Sequence, residues 1–196
     1  MKRCRRRGFT LIELIIVIAI IMSLAAMLMA VADAARRAAR KEKSNAVLDV
    51  LATACERYWS LCHDYPYPNP DYVGIGANTL GVNGAFRNAY YKGGWTDEGY
   101  NVALVYILSQ PRTPEPLINV QQGWFKKTTP DMTGPDGRRL YKIVDGFGNV
   151  IRVERPAQSS VVYVFVQLTS AGPDGEFGAD VNDPKSKDNL VRYVRR

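Results

Sequence analysis

Cysteine and histidine are scarce in this chain, which has three Cys and one His in 196 residues. That scarcity excludes whole classes of chemistry. His63 has no Cys/His cluster around it, so a zinc site of the usual kind is not expected. No nucleophile–base constellation, metal cluster or phosphate-binding glycine loop is legible, so the sequence does not read as an enzyme. No cysteine follows Cys62, so nothing beyond that point can be closed by a disulfide. Cys55 and Cys62 lie on a predicted helix, seven residues or about 10 Å apart along its axis. A disulfide needs Cα atoms within about 7 Å. Either the helix ends before Cys62 and the pair closes in an oxidising compartment, or both are buried thiols.

Glycine and proline are absent from Asp33 to Cys62. This stretch is instead rich in Ala, Arg, Lys, Glu and Leu, all strong helix formers. Val47, Leu48, Leu51, Cys55, Tyr58 and Cys62 recur at spacings of three and four, which makes one apolar stripe. Ala34, Ala35, Ala38 and Ala39 offer small surfaces for close helix approach, or equally a propensity-rich connector. Net negative charge is also missing. The formal charge is +7, but Lys2, Arg3, Arg5, Arg6 and Arg7 carry five of those positive charges. A product beginning at Phe9 would carry +2. The basic balance is therefore largely a property of the first residues and does not indicate nucleic-acid binding.

What is abundant is a single apolar run. Leu11 to Val31 has 21 residues with one charge, Glu13. About 20 apolar residues in a helix cross the hydrocarbon core, so this segment can span a membrane. A cleaved secretory signal has a shorter apolar core, followed by a small-residue cut site. A simple single-pass anchor explains the run but leaves Glu13 unexplained. A carboxylate in such a segment is costly and usually functional. No Lys or Arg lies within helical reach once the basic leader is removed. A new α-amino group on Phe9 would be a suitable cation, four residues away on the same chain or on a neighbour.

The string Arg7-Gly8-Phe9-Thr10-Leu11-Ile12-Glu13 resembles the class III signal of type IV pilins and type II secretion pseudopilins. The resemblance implies that prepilin peptidase cuts after Gly8, that Phe9 becomes the methylated terminus, and that Glu13 is the assembly carboxylate. Family members often carry Pro where this chain has Ala30. The flanks of the run carry five basic residues each, the second set being Arg36, Arg37, Arg40, Lys41 and Lys43, so charge counting leaves orientation a tie. Resemblance places the N-terminus in the cytoplasm and the domain in the periplasm, on a single-pass chain of a bacterial inner membrane. Glu56 to Pro66 resembles the family's Tyr-rich helix exit.

Phe9 to Cys62 then reads as one helix of 54 residues, about 80 Å at 1.5 Å per residue. Residues 66 to 98 read as a long loop in which Tyr90, Tyr91 and Trp95 either form a binding surface or cover an apolar patch. Tyr100 to Gln110 is expected to be a short helix ended by Pro111. Leu140 to Val144, the turn Asp145–Asn149 and Val150 to Glu154 read as a hairpin, and Val161 to Leu168 as the central strand. The turn resembles the Asp-x-Trp-Gly-Asn/Asp turn of major pseudopilins, with Phe147 in place of Trp. The fold class is α+β and pilin-like, a long helix packed on a small antiparallel sheet. The expected organisation is a leader at 1–8, a transmembrane helix at 9–31 and its continuation at 32–62. A variable loop region with a short helix follows at 63–139, the sheet at 140–168, and a metal-binding loop and tail at 169–196.

The last segment crowds acidic and amide oxygens into a Gly-rich stretch from Leu168 to Leu190. Ca²⁺ takes six to eight oxygen ligands, backbone carbonyls among them. The spacing is not that of an EF-hand, and Asp and Gly are also common in plain surface loops. Ser170-x-Gly172-x-Asp174-Gly175 followed by Asp188-Asn189-Leu190 resembles the calcium loop of major pseudopilins. The resemblance implies Asp174 and Asp188 as side-chain ligands, Asn189 in a paired-acid position, and backbone oxygens at Leu168 and Ala171. Asn189 stands where the family has a second Asp, and the insert is longer, so Asp180 or Asp183 could substitute. The whole reading is a major pseudopilin: a homopolymeric filament subunit that meets prepilin peptidase, other pseudopilins, the inner-membrane secretion platform and calcium. A type IV pilus subunit, a minor pseudopilin and a membrane-tethered enzyme are the rival readings.

Overall fold

The computed structural model describes residues 10–63, 66, 96–110, 117–119, 123–129, 131–154, 164–178 and 183–195. Tyr90, Tyr91 and Trp95 lie outside them. The chain divides into two compact units, Met1–Ala39 and Arg40–Arg196.

The first helix, α1, runs unbroken over Leu11–Cys62, 52 residues. Its start is fixed by a capping box. The Thr10 hydroxyl accepts from the Glu13 N–H at 3.3 Å, and the Glu13 carboxylate accepts from the Thr10 N–H at 2.8 Å. Two otherwise orphaned amides are thereby satisfied. The helix continues through Ala30 without a break, as expected where Ala replaces a helix breaker. It ends at His63, whose N–H donates to the Trp59 carbonyl at 2.7 Å and whose φ is +54°. This is the left-handed exit usually taken by Gly or Asn. Cys55 and Cys62 lie on this continuous helix with no disulfide between them, Cys55 buried and Cys62 half-buried.

Within the first unit, the large apolar side chains of α1 from Leu11 to Val31 are 45–76% exposed. Within the second unit, α1 supplies one slab of the core. Val47, Leu48, Leu51, Cys55 and Tyr58 are buried together with Leu104 and Leu108 of the second helix, Ile143, Val166 and Leu168 of the strands, and Ile151 just before one of them. Cys62, the last member of the stripe, packs against this cluster from its edge.

The second helix, α2, spans Asp97–Ser109, beginning three residues earlier than its apolar pattern suggests. Thr96 is the reason, because its side chain caps the helix by accepting from the Gly99 N–H. Asp97 and Glu98 in the first turn then pair across to the strands, with Arg152 at 3.0 Å and Lys142 at 2.6 Å.

Among the described residues five strands follow: β1 (Phe125–Lys127), β2 (Tyr141–Ile143), β3 (Arg152–Glu154), β4 (Val164–Ser170) and β5 (Leu190–Arg195). Rather than one sheet, they form an antiparallel pair β1-β2 and an antiparallel sheet of order β3-β4-β5. The expected central strand is central, and β5 lies in what reads from sequence as loop and tail. Alternation along β4 sends Val166 and Leu168 into the core and leaves Gln167 half-buried. The register Leu168↔Arg192 puts Arg192 on the inner face, where it pairs with Asp49 of α1.

The β2–β3 hairpin is short. Val144 and Val150 form a single bridge, and Asn101 of α2 reaches in beside it. Its amide donates to the carbonyls of Ile143 and Ile151 at 3.2 and 2.7 Å, and its oxygen accepts from the Ile143 N–H at 2.9 Å. The side chain is fully buried and supplements a sparse ladder, in which the Ile151 N–H reaches the Ile143 carbonyl only at 3.5 Å.

Two outcomes follow. Asn101→Leu leaves the buried Ile143 N–H and Ile151 carbonyl without their partner, and the Ile143 carbonyl with only a long bond from the Ile151 N–H, so the midpoint of chemical denaturation should fall by an amount equivalent to about 3 kcal/mol. Burial, with Glu56 as a smaller cause, pushes the Cys55 thiol up to about 12 from 9.0. The folded state holds a proton there that the unfolded chain releases. This contribution to stability is complete below pH 9.0 and is lost as pH rises toward about 12. At pH 8, peptide mass mapping after alkylation should find Cys55 unmodified until the chain unfolds.

Candidate functional site

Two regions carry the residues singled out from sequence. At the N-terminus, Gly8 and Phe9 lie outside the described residues. Glu13 is exposed, with its carboxylate turned back toward the start of α1. It accepts from both the N–H and the hydroxyl of Thr10, each at 2.8 Å. Side chains in an α-helix lean toward its N-terminus, so a Glu on the first turn naturally aims there. The nitrogen it contacts belongs to the peptide bond joining Phe9 to Thr10.

The second region is the loop from Ala171 to Asn189, between β4 and β5. Gly172 and Gly175 have φ of +69° and +74°, left-handed geometry that glycine adopts without strain. Gly172 also packs tightly: a Cβ there would lie 2.7 Å from both the carbonyl oxygen and Oδ2 of Asp188. Asp188 is therefore held directly against the start of the loop. Next to it, the Asn189 amide lies 3.1 Å from the carbonyl oxygens of Ala171 and Glu176. With Nδ2 turned inward, the amide donates to both. The carbonyls of Ala171 and Glu176 and the Asp188 carboxylate are oxygens of the kind a hard cation takes, and here the Asn189 amide donates to both carbonyls.

The remaining expected ligands are placed differently. Asp174 is exposed, and its Oδ1 accepts from the Glu176 N–H at 2.9 Å. Asp183 Oδ1 accepts from the Lys185 N–H at 3.0 Å, capping a 3₁₀ turn at Pro184–Ser186. Leu168 is inside β4, its side chain in the core. Asp180 lies outside the described residues. Among the described residues, no group of three or more His, Cys, Asp or Glu side chains is gathered to hold a metal. Lys185 pairs with Glu176 at 2.8 Å. The hydrogen bond and charge of Glu176, followed by the charges of Asp183 and Asp174, raise its pKa.

Contacts invisible to local pattern reading anchor this loop. Asn149 donates to the Gly172 carbonyl at 2.8 Å, and Ser170 donates to the buried Asp145 carboxylate at 2.6 Å. The Arg152 guanidinium stacks 4.2 Å above the Phe177 ring. Between the loop and the outer face of β3-β4-β5 is a hollow of about 180 Å³, bordered by Arg152, Gln167, Phe177, Asn189 and Tyr193. The alternation of β3, β4 and β5 could have identified its sheet side; the loop side depends on the fold.

Residues 3–29 match the family model for the prokaryotic N-terminal methylation motif. The chain thus carries the processing signal of type IV pilin-like prepilins, substrates of prepilin peptidase, on a helix long and apolar enough to cross a membrane. No curated protein and no solved structure matches the chain.

Gly172→Ala would force a left-handed Ala against Asp188. The expected loss is about 1–3 kcal/mol, read as a lower urea midpoint with an unchanged slope.

Proposed function

We propose that this chain is a structural subunit, a major-type pseudopilin of a type II secretion system, polymerised through α1 after cleavage following Gly8. The observation that carries this reading is the uncovered apolar half of α1, whose large side chains from Leu11 to Val31 are 45–76% exposed, joined to a prepilin processing signal. Such a surface needs lipid before assembly and neighbouring helices after it. The domain lies in the periplasm and the leader in the cytoplasm. Partners are further copies of the chain, other pseudopilins and the inner-membrane secretion platform.

Glu13 has a defined part in this scheme. Cleavage before Phe9 creates an α-amino group three covalent bonds from the Thr10 nitrogen that Glu13 already contacts at 2.8 Å. A carboxylate costly in lipid thereby gains a cation, either its own or that of the adjoining subunit. The capping box holds Glu13 at the helix start, ready for that exchange. Phe9 is the residue methylated in the mature form.

The pseudopilin assignment over a pilus subunit rests on two features. Type IV pilins usually close their C-terminal region with a disulfide, and this chain has no cysteine beyond Cys62. The loop from Ser170 to Asn189 also has the calcium-loop pattern. We infer that Ca²⁺ binds there, held by Asp188, Asn189 and the Ala171 carbonyl, with Asp174 as a further carboxylate. The Glu176 carbonyl, which faces the Asn189 amide, would be a further oxygen of this set. Leu168, Asp180 and Asp183 complete the range of oxygens drawn on. When bound, the ion would neutralise the loop's carboxylates and fix its carbonyls.

Assembly is tested with Glu13→Ala in the full-length chain. Sheared filaments and cross-linked oligomers should disappear while insertion and cleavage persist. Normal filaments from this variant, or a mature chain still beginning at Met1, would overturn the reading. A pilus subunit would instead give long surface fibres at native expression. Calcium is tested by thermal unfolding in detergent. Ca²⁺ at a hundredfold excess over Kd should raise Tm by about 5–10 °C relative to chelator, and no shift would remove calcium from the account.

A further inference from the structure

The hairpin turn at residues 145–149 grips two parts of the second unit at once. On one side is α1. The Gly146 N–H donates to Ser44 Oγ at 2.9 Å, and that hydroxyl donates to the Arg40 carbonyl at 3.1 Å. The approach is so close that a Cβ on Gly146 would overlap the Arg40 carbonyl oxygen. On the other side is the loop after β4, where the Gly172 residue is held at both its N–H and its carbonyl. Its N–H donates to Ser170 Oγ at 3.3 Å, and the Ser170 hydroxyl donates to Asp145 Oδ2 at 2.6 Å. Its carbonyl accepts from Asn149 Nδ2 at 2.8 Å.

The turn itself is kept in shape by the remaining oxygen of Asp145, which accepts from the N–H groups of Phe147 and Asn149 at 2.9 and 2.8 Å. Ser44, Asp145 and Ser170 are each no more than 1% exposed. Water cannot readily replace a bond broken in this network, so its members move together. Ser44 also marks the place where α1 passes from exposed to buried, since residues 41–43 are exposed and Ser44 is fully buried.

We propose that the 145–149 turn is a latch coupling the loop at 171–176 to α1 at the point where the helix enters the core. Fixing Gly172 fixes Asn149 and Asp145, which hold Gly146 on Ser44. Loosening the loop releases that grip. A cation bound in the loop would tighten the latch; this regulatory part rests on the calcium reading above, while the latch does not. Because coupling free energies are reciprocal, a cut at either end is felt at the other.

The test is amide hydrogen exchange on the full-length chain in detergent micelles. Asn149→Ala removes the donor to Gly172 while leaving the turn's backbone bonds in place. The expected result is at least fivefold faster exchange at residues 44–48 of α1, 102 residues from the turn in sequence at the Ser44–Gly146 contact. Ser44→Ala cuts the other end with a residue that favours helix, and should speed exchange at residues 172–176 by a similar factor. The second variant decides the matter if the first fails to fold. Distant exchange unchanged within twofold in folded Asn149→Ala and Ser44→Ala would overturn the latch.

Calcium chloride supplies the separate arm. In the wild type it should slow exchange in both places, and in Asn149→Ala in the loop alone. Slowing at α1 in both chains would overturn the latch as the route. No heat of binding and no slowing anywhere in the wild type would sink the calcium reading, and the metal-free comparison of the two variants would still decide the latch.

Discussion

The constraint on which this structure depends is an apolar helix surface that its own unit leaves bare. From Leu11 to Val31 the large side chains of α1 are at least 45% exposed, far more contiguous apolar surface than a soluble monomer tolerates. Burying such surface is the dominant favourable term in both folding and association. This half of the helix therefore has its energetics set by lipid or by other helices. Its few polar features acquire meaning from that setting. Glu13 is satisfied locally by Thr10, which lowers the cost of carrying a carboxylate there and aims it at the chain's start.

The other half of α1 obeys ordinary globular rules. Its apolar stripe meets α2 and the inner faces of two small sheets, and the polar contacts around that core are few and specific. Asp97 and Glu98 tether the start of α2 to β3 and β2, Asp49 holds Arg192 of β5, and Ser44 receives the 145–149 turn. The C-terminal loop is attached to the sheet through Phe177 and Arg152, and to the turn through Asn149 and Ser170. The proposed cation site is thus built upon a turn that also touches the helix.

Much of this was legible in the sequence, and the exceptions have physical causes. Strong periodicity and an absence of breakers made α1 readable to within a few residues, and the β-branched run made β4 readable as the central strand. β1 escaped because Phe125-Lys126-Lys127 is too short to show alternation. β5 escaped because Leu190, Val191, Tyr193 and Val194 put apolar groups on both faces, within a segment dominated by Asp and Gly. At the loop, the pattern pointed to Asp188, Asn189 and Ala171, which the fold brings together. It could not reveal Asn149 or Ser44, whose partners are 23 and 102 residues away. Glu176 was hidden for a different reason: its carbonyl, not its side chain, faces Asn189, and backbone direction has no signature in residue identity.

Asn101 has a consequence for how the second unit comes apart. A two-stranded pair and a three-stranded sheet are each at the lower limit of what survives alone in water. One amide, bonded to Ile143 on β2 and to Ile151 just before β3, clips the two together from α2. Neither sheet can therefore peel away as an independent melting block without stranding the same buried group. The unit should lose its strands and α2 in one all-or-none step, leaving no half-folded species with an open strand edge for neighbouring subunits to capture in a crowded filament.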